Sequence, residues 1–136
     1  MNVVVDANII FSSLLIEKSR IRNFLLDERF SFFSPDYLMM ELLNKQERLL
    51  KYTSMEKQLV DELFRILVQK IHFVKEDFVS TECRNAALEL CRGVDETDVP
   101  YVALAIEMNY PLWTGDEKLK KGLRKKGFYM FFDLPH

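Results

Sequence analysis

The sequence predicts an α/β fold with a central, mainly parallel sheet of about five strands, and three observations predict it. The first is the run Val3-Val4-Val5, β-branched and without alternation, which is how a strand buried on both faces of a parallel sheet reads. The second is that short apolar runs of strand type alternate along the chain with stretches of helical period. The third is that acids fall where strands should end and helices begin, at Asp6, Asp98 and Asp116. In open α/β sheets that edge is where ligands bind.

Each element follows from local signals. After the first strand, Ile9 to about Leu15 reads as a short helix. A second, Ser19 to Leu26, should carry Ile21, Phe24 and Leu25 inward and Arg20 and Arg22 outward. Phe30–Phe33 is a strand. Ser34-Pro35 then has the form of a helix start, with Ser34 as cap and Pro35 in the first turn, where its missing N–H costs nothing. The apolar face of Leu38, Met39, Leu42, Leu43, Leu49 and Leu50 extends this helix to about Tyr52, with Glu41 at the edge of that face. Ser54 is placed to cap a helix burying Leu59, Leu63, Phe64 and Leu67. Ile71–Val74 is a strand in which His72 reads as structural.

Residues 80–92 form a helix burying Ala86, Ala87, Leu90 and one or both cysteines, closed by Gly93. Pro100 fits only the first turn of the helix that follows, which puts Asp98 at its N-terminus, where the dipole favours negative charge. Pro111–Thr114 is a strand, Gly115 turns, and Asp116 stands at the strand's carboxyl end. Glu117–Lys126 reads as a basic helix and Phe128–Phe132 as a last strand. No repeat or flexible linker divides the chain, so residues 1–136 are expected to form one domain.

Composition excludes several classes. Net charge is −2, so no global basic field announces nucleic acid. No apolar run reaches the length of a membrane span, and the N-terminus lacks the layout of a signal peptide. Cys83 and Cys91, if on one helix, stand about 12 Å apart, too far for a disulfide. Reduced core cysteines and a cytoplasmic location are expected.

Four acids stand out by position: Asp6 and Asp116 end strands, Asp98 opens a helix and Glu41 looks in from a helix edge. A lone Asp6 would be read as a helix cap. If all four converge, with no Cys, His or Lys among them, they repel unless a cation sits between them. Oxygen-only ligands suit Mg²⁺ or Mn²⁺ rather than zinc.

With these motifs in view, the chain resembles the PIN-domain ribonucleases, especially the VapC-type toxins of toxin–antitoxin pairs. Val-Val-Val-Asp6-Ala-Asn8 looks like the opening Asp-x-Asn, and Glu41 matches the acid of the second motif. Asp98 before Ala103 and Ala105 matches the third, and Thr114-Gly-Asp116 the closing Thr-x-Asp. The resemblance implies a PIN-like α/β/α sandwich in which Asp6, Glu41, Asp98 and Asp116 are catalytic and bind one or two Mg²⁺ or Mn²⁺ ions. Asn8 and Thr114 would orient those acids, and Asp95 is an extra acid that some relatives carry. It further implies an RNA substrate, a small antitoxin and a homodimer.

The basic run has two readings. It is either a solvated helix whose cationic end suits its dipole, or a phosphate-steering flank formed by Lys118, Lys121 and Arg124, with Arg20 and Arg22 on the opposite rim. Rival folds lack their signatures. A receiver domain needs a paired acidic motif, a haloacid-dehalogenase-type phosphatase needs Asp where Asn8 stands, and no Gly-rich phosphate loop is present. The competing function is a non-catalytic scaffold that keeps this fold and binds a protein or RNA. Mutually repelling acids have no use there.

Overall fold

Strand β1 (Asn2–Val5) lies inside a parallel sheet with β2 (Ser31–Pro35) on one side and β4 (Leu112–Trp113) on the other. Outside β2 runs β3 (Ile71–Val74), giving the order β3-β2-β1-β4. The computed structural model describes residues 1–134. Helices α1 (Ala7–Ser13), α2 (Arg20–Leu25), α3 (Tyr37–Asn44), α4 (Gln46–Tyr52), α5 (Lys57–Lys70), α6 (Thr81–Cys91), α7 (Val99–Met108) and α8 (Glu117–Lys125) flank it. Val3, Val4 and Val5 are wholly buried, as a central strand covered on both faces requires. Val102, Ala103, Leu104 and Ala105 are buried on α7, which packs against β1, β2 and β4. Successive strands step outward from β1 to β3, and the chain then crosses to β4 on the far side. The order therefore reverses between β1 and β4, and a crevice opens at such a switch point.

Several expectations are corrected here. Ser34 and Pro35 end β2 rather than opening a helix: Ser34 pairs with Phe73, Pro35 with Val74, and the Ser34 hydroxyl donates to the Val5 carbonyl at 2.9 Å. Proline is tolerated there because a strand end loses little by lacking an N–H. The helix expected to run to Tyr52 breaks at Lys45 into α3 and α4, and Leu43 is left 58% exposed. Ser54 caps nothing; its hydroxyl donates to the Leu15 carbonyl, and α5 starts later, at Lys57. Ala86 is exposed, while Ala87 and Cys91 fill the α6 interface. The last expected strand shrinks to a single bridge, Phe131 against Leu112, so the sheet has four strands.

Arg22 points inward, not outward. Its guanidinium donates to the carbonyls of Ser13 at 2.6 Å and Ile16 at 3.0 Å, and also to that of Glu17, tying down the loop after α1. Both cysteines are free thiols, and burial pushes Cys91 up to about 12. Phenylalanines fill part of the interior: Phe32 and Phe132 pack against Trp113, Phe30 against both, and Phe24 against Phe30, whereas Phe78 is exposed. No helix among the described residues is long and apolar enough to cross a membrane.

Candidate metal centre

Where β1 runs out, Asp6 keeps an extended backbone and caps α1, accepting the Ile9 N–H at 3.1 Å. It is 2% exposed. Burial drives its carboxyl up to about 6; hydrogen bonds from the Thr114 hydroxyl and the Ile9 N–H oppose that rise, as does Lys45, while Glu41 adds to it. Thr114, buried at the end of β4, also accepts the Asp116 N–H at 3.2 Å. One hydroxyl thus links the end of β1 to the end of β4. Asp116 in turn caps α8, accepting the Leu119 N–H at 3.1 Å.

Asp98 is different. It stands at the N-cap position of α7, yet its side chain makes no capping hydrogen bond. Its carboxylate instead joins those of Asp95 and Asp116, each offering an oxygen within 4.8 Å of the others. Burial first, then Asp95, Asp6 and Asp116, lift its carboxyl to about 7. Asp95 shifts the other way, held low by Thr97, whose N–H and hydroxyl donate to its Oδ1 at 3.0 and 2.6 Å. Helix capping accounts for Asp6 and Asp116 locally, but it does not account for Asp98.

Glu41 approaches from α3. It accepts a hydrogen bond from the buried Tyr101 hydroxyl, whose own pKa is driven up, by burial and then by Glu41. Lys45 Nζ lies 3.6 Å from the Glu41 carboxylate and 3.3 Å from Asn8 Oδ1. The expectation of a site with no lysine is therefore corrected: Lys45 occupies the Glu41 side, brought there by the turn that ends α3. Sequence reasoning missed Lys45 and Tyr101, and ranked Asp95 below its place in the tightest trio. The spacing Glu41 to Lys45, one helical turn, was the available signal.

The donor set fits a hard divalent cation. Three carboxylates within one small volume supply only oxygen, and their mutual repulsion is what such an ion relieves. Asp6 and Glu41 extend the same field toward the sheet.

The basic helix divides. Lys120 is buried in an ion pair with Asp133 at 2.6 Å, and Lys126 Nζ donates to the carbonyls of Glu89, Leu90 and Arg92. Arg124 lies over the Phe131 ring at 5.2 Å, and Arg20 over Phe24 at 5.9 Å. Lys118, Lys121 and Lys125 line a cleft of about 570 Å³ between α8 and the turn at Gly93-Val94. Lys118 is near enough to Asp95 to lower its pKa, so this cleft borders the acids.

A parallel sheet with carboxylates gathered outside its switch point defines an α/β domain with a strongly anionic, cation-accepting site. A family model for the PIN domain matches residues 4–128, and the chain belongs to that family. PIN domains are generally metal-dependent nucleases, and PIN nucleases act on RNA. Comparison with curated proteins gives no match.

Proposed function

We propose that the chain is a Mg²⁺- or Mn²⁺-dependent endoribonuclease and the toxin of a toxin–antitoxin pair, acting as one domain in the cytoplasm. The observation that carries the reading is Asp98, a carboxylate lifted to about 7 with no helix-capping bond to explain its position. In this reading Asp6, Glu41, Asp98 and Asp116 hold the metal, and Asp95 joins from the flank. A bound divalent ion would lower the pKa of a water and stabilise the leaving oxygen of a phosphodiester displacement.

The protein's own groups do the rest. Thr114 and the Ile9 N–H orient Asp6, Tyr101 orients Glu41, and Asn8 and Lys45 fix the cationic rim. Lys118 and Lys121 steer the RNA backbone, with Arg124 and Arg20 at more distant edges. A homodimer and a small antitoxin complete the proposal; exposed apolar side chains such as Leu43 and Ile66 are surface of the kind a second chain covers.

The test is cleavage of a single-stranded RNA with Mn²⁺, with EDTA, and with Asp98→Asn. Metal-dependent cleavage lost in the variant is expected. Cleavage that survives EDTA would overturn the metal reading, and a wild type inert with every metal would favour a non-catalytic scaffold.

A further inference from the structure

A second cavity, of about 420 Å³, opens between α3, α6 and α7 at the carboxyl ends of β2 and β3. Its floor is apolar, formed by Val74, Val99, Ala103 and Leu104, and Tyr37 and Met40 stand at its mouth, 40% and 62% exposed. Its polar lining is mixed: Asp36 and Glu76 accept, while Lys75 and Arg84 donate. Arg84 is pre-set, its guanidinium donating to the Glu76 carbonyl at 3.1 Å.

Two residues that line the cavity neighbour the metal centre. Val99 follows Asp98 directly, and the Tyr37 ring lies 6.3 Å from that of Tyr101, whose hydroxyl is bound to Glu41.

We infer that this cavity is a subsite for one unpaired nucleobase of the RNA, flanking the phosphate that is cut, an inference that rests on the nuclease reading. The volume falls in the roughly 300–1,000 Å³ range of small-molecule sites, too confined for a folded partner. An exposed tyrosine at the mouth supplies the face on which a splayed base stacks. Donors and acceptors together at the rim match the edge of a base, whereas an aliphatic ligand would need neither. The α8 cleft would then serve the phosphates and this cavity a base.

Two measurements test it. Cleavage sites are mapped on a mixed-sequence single-stranded RNA for wild type, Tyr37→Phe and Tyr37→Ala. The Met40 methyl resonance is followed while each of the four nucleoside 5′-monophosphates is added, and binding is compared for an oligonucleotide with and without an abasic position beside the cut. Wild type should prefer one or two bases at a fixed position from the cut. Tyr37→Ala should flatten that preference and weaken binding roughly 5- to 150-fold, the value of one stacked base, while Tyr37→Phe keeps both. Unchanged preference in Tyr37→Ala, or undiminished binding of the abasic strand, overturns the subsite. So does a change confined to self-association on sedimentation, which would make the cavity an interface between copies. A wild type that cleaves nothing while the Met40 methyl still responds to a nucleotide overturns the nuclease reading and not the base site.

Discussion

Two charged regions of this molecule lie side by side and are built on opposite principles. On α8 and the residue that ends it half of the positive charge is already used: Lys120 in an ion pair with Asp133, Lys126 on three carbonyls, Arg124 on an aromatic face, while Lys118, Lys121 and Lys125 line the cleft. At the ends of β1 and β4 the acids are gathered against one another, with Lys45 countering Glu41 and Asp6 and Lys118 countering Asp95 in part. Half of a run of like charge in a sequence thus dissolves into structural contacts, while acids far apart in the chain are concentrated. Uncompensated charge, held at a cost to stability, marks the region with work to do.

The strongest way to break this comparison is to remove one acid. Asp6→Asn, Glu41→Gln, Asp98→Asn or Asp116→Asn should each lower Mn²⁺-dependent RNA cleavage by about a hundredfold or more, as losing a preorganised charge does. Asp95→Asn should be milder, because Thr97 already engages one of its oxygens. Single-turnover rates decide the order. An essential Asp95 beside a dispensable Asp98 would reverse the assignment.

A second consequence concerns pH. Asp6 and Asp98 have folded pKa values of about 6 and about 7, above the ordinary 3.8. Between pH 4 and 7 the folded protein therefore holds protons that the unfolded chain has released. Stability must fall as pH rises through that window and level off above it. The metal-free protein should be more stable at pH 5 than at pH 8 by roughly 1–3 kcal/mol after screening, and Asp98→Asn should shrink the difference. Mn²⁺ should restore stability at pH 8 by binding the folded state. Melting curves at the two pH values, with and without metal, read all three effects; a rise in stability from pH 5 to 8 in EDTA would refute the repulsion.

On the basic side the expected effects are smaller and divide by residue. Lys120→Met should cost about 1 kcal/mol of stability or less, since the exposed Asp133 is solvated by water once its partner is gone, and leave RNA affinity unchanged. Gly122→Ala tests the packing beneath the cleft: a Cβ there would meet the Val94 methyls at 2.7 Å, so Val94 or α8 must shift, at about 1–3 kcal/mol. Urea melts measure both. Smallest of all, Lys121→Glu should weaken RNA binding a few-fold and reduce the salt slope by about one. A salt slope unchanged by Lys121→Glu would make the whole helix a solvated face.

What the sequence by itself determined is local. Three consecutive valines make a buried strand in any context that pairs them, and Pro100 and Gly93 punctuate their helices wherever these pack. The acids were legible because strand ends and helix starts are written in neighbouring residues. Ser34-Pro35 shows the limit: the same dipeptide that opens a helix ends a strand when β3 is there to pair with it. Arg22 and Tyr101 were beyond local reading, since each acquires its role from atoms brought near by folding, in the loop after α1 and on α3; for Lys45 the spacing to Glu41 was legible, but its bond to Asn8 on α1 was not. Only the tertiary structure decided that Asp95, Asp98 and Asp116 share one small volume beside Asp6. That follows from the crossing of β4 to the far side of β1, which sets the ends of two distant segments against each other. Sequence periodicity carries the direction of a side chain from its own element; strand order carries which elements meet, and it is set by the summed burial of the whole core.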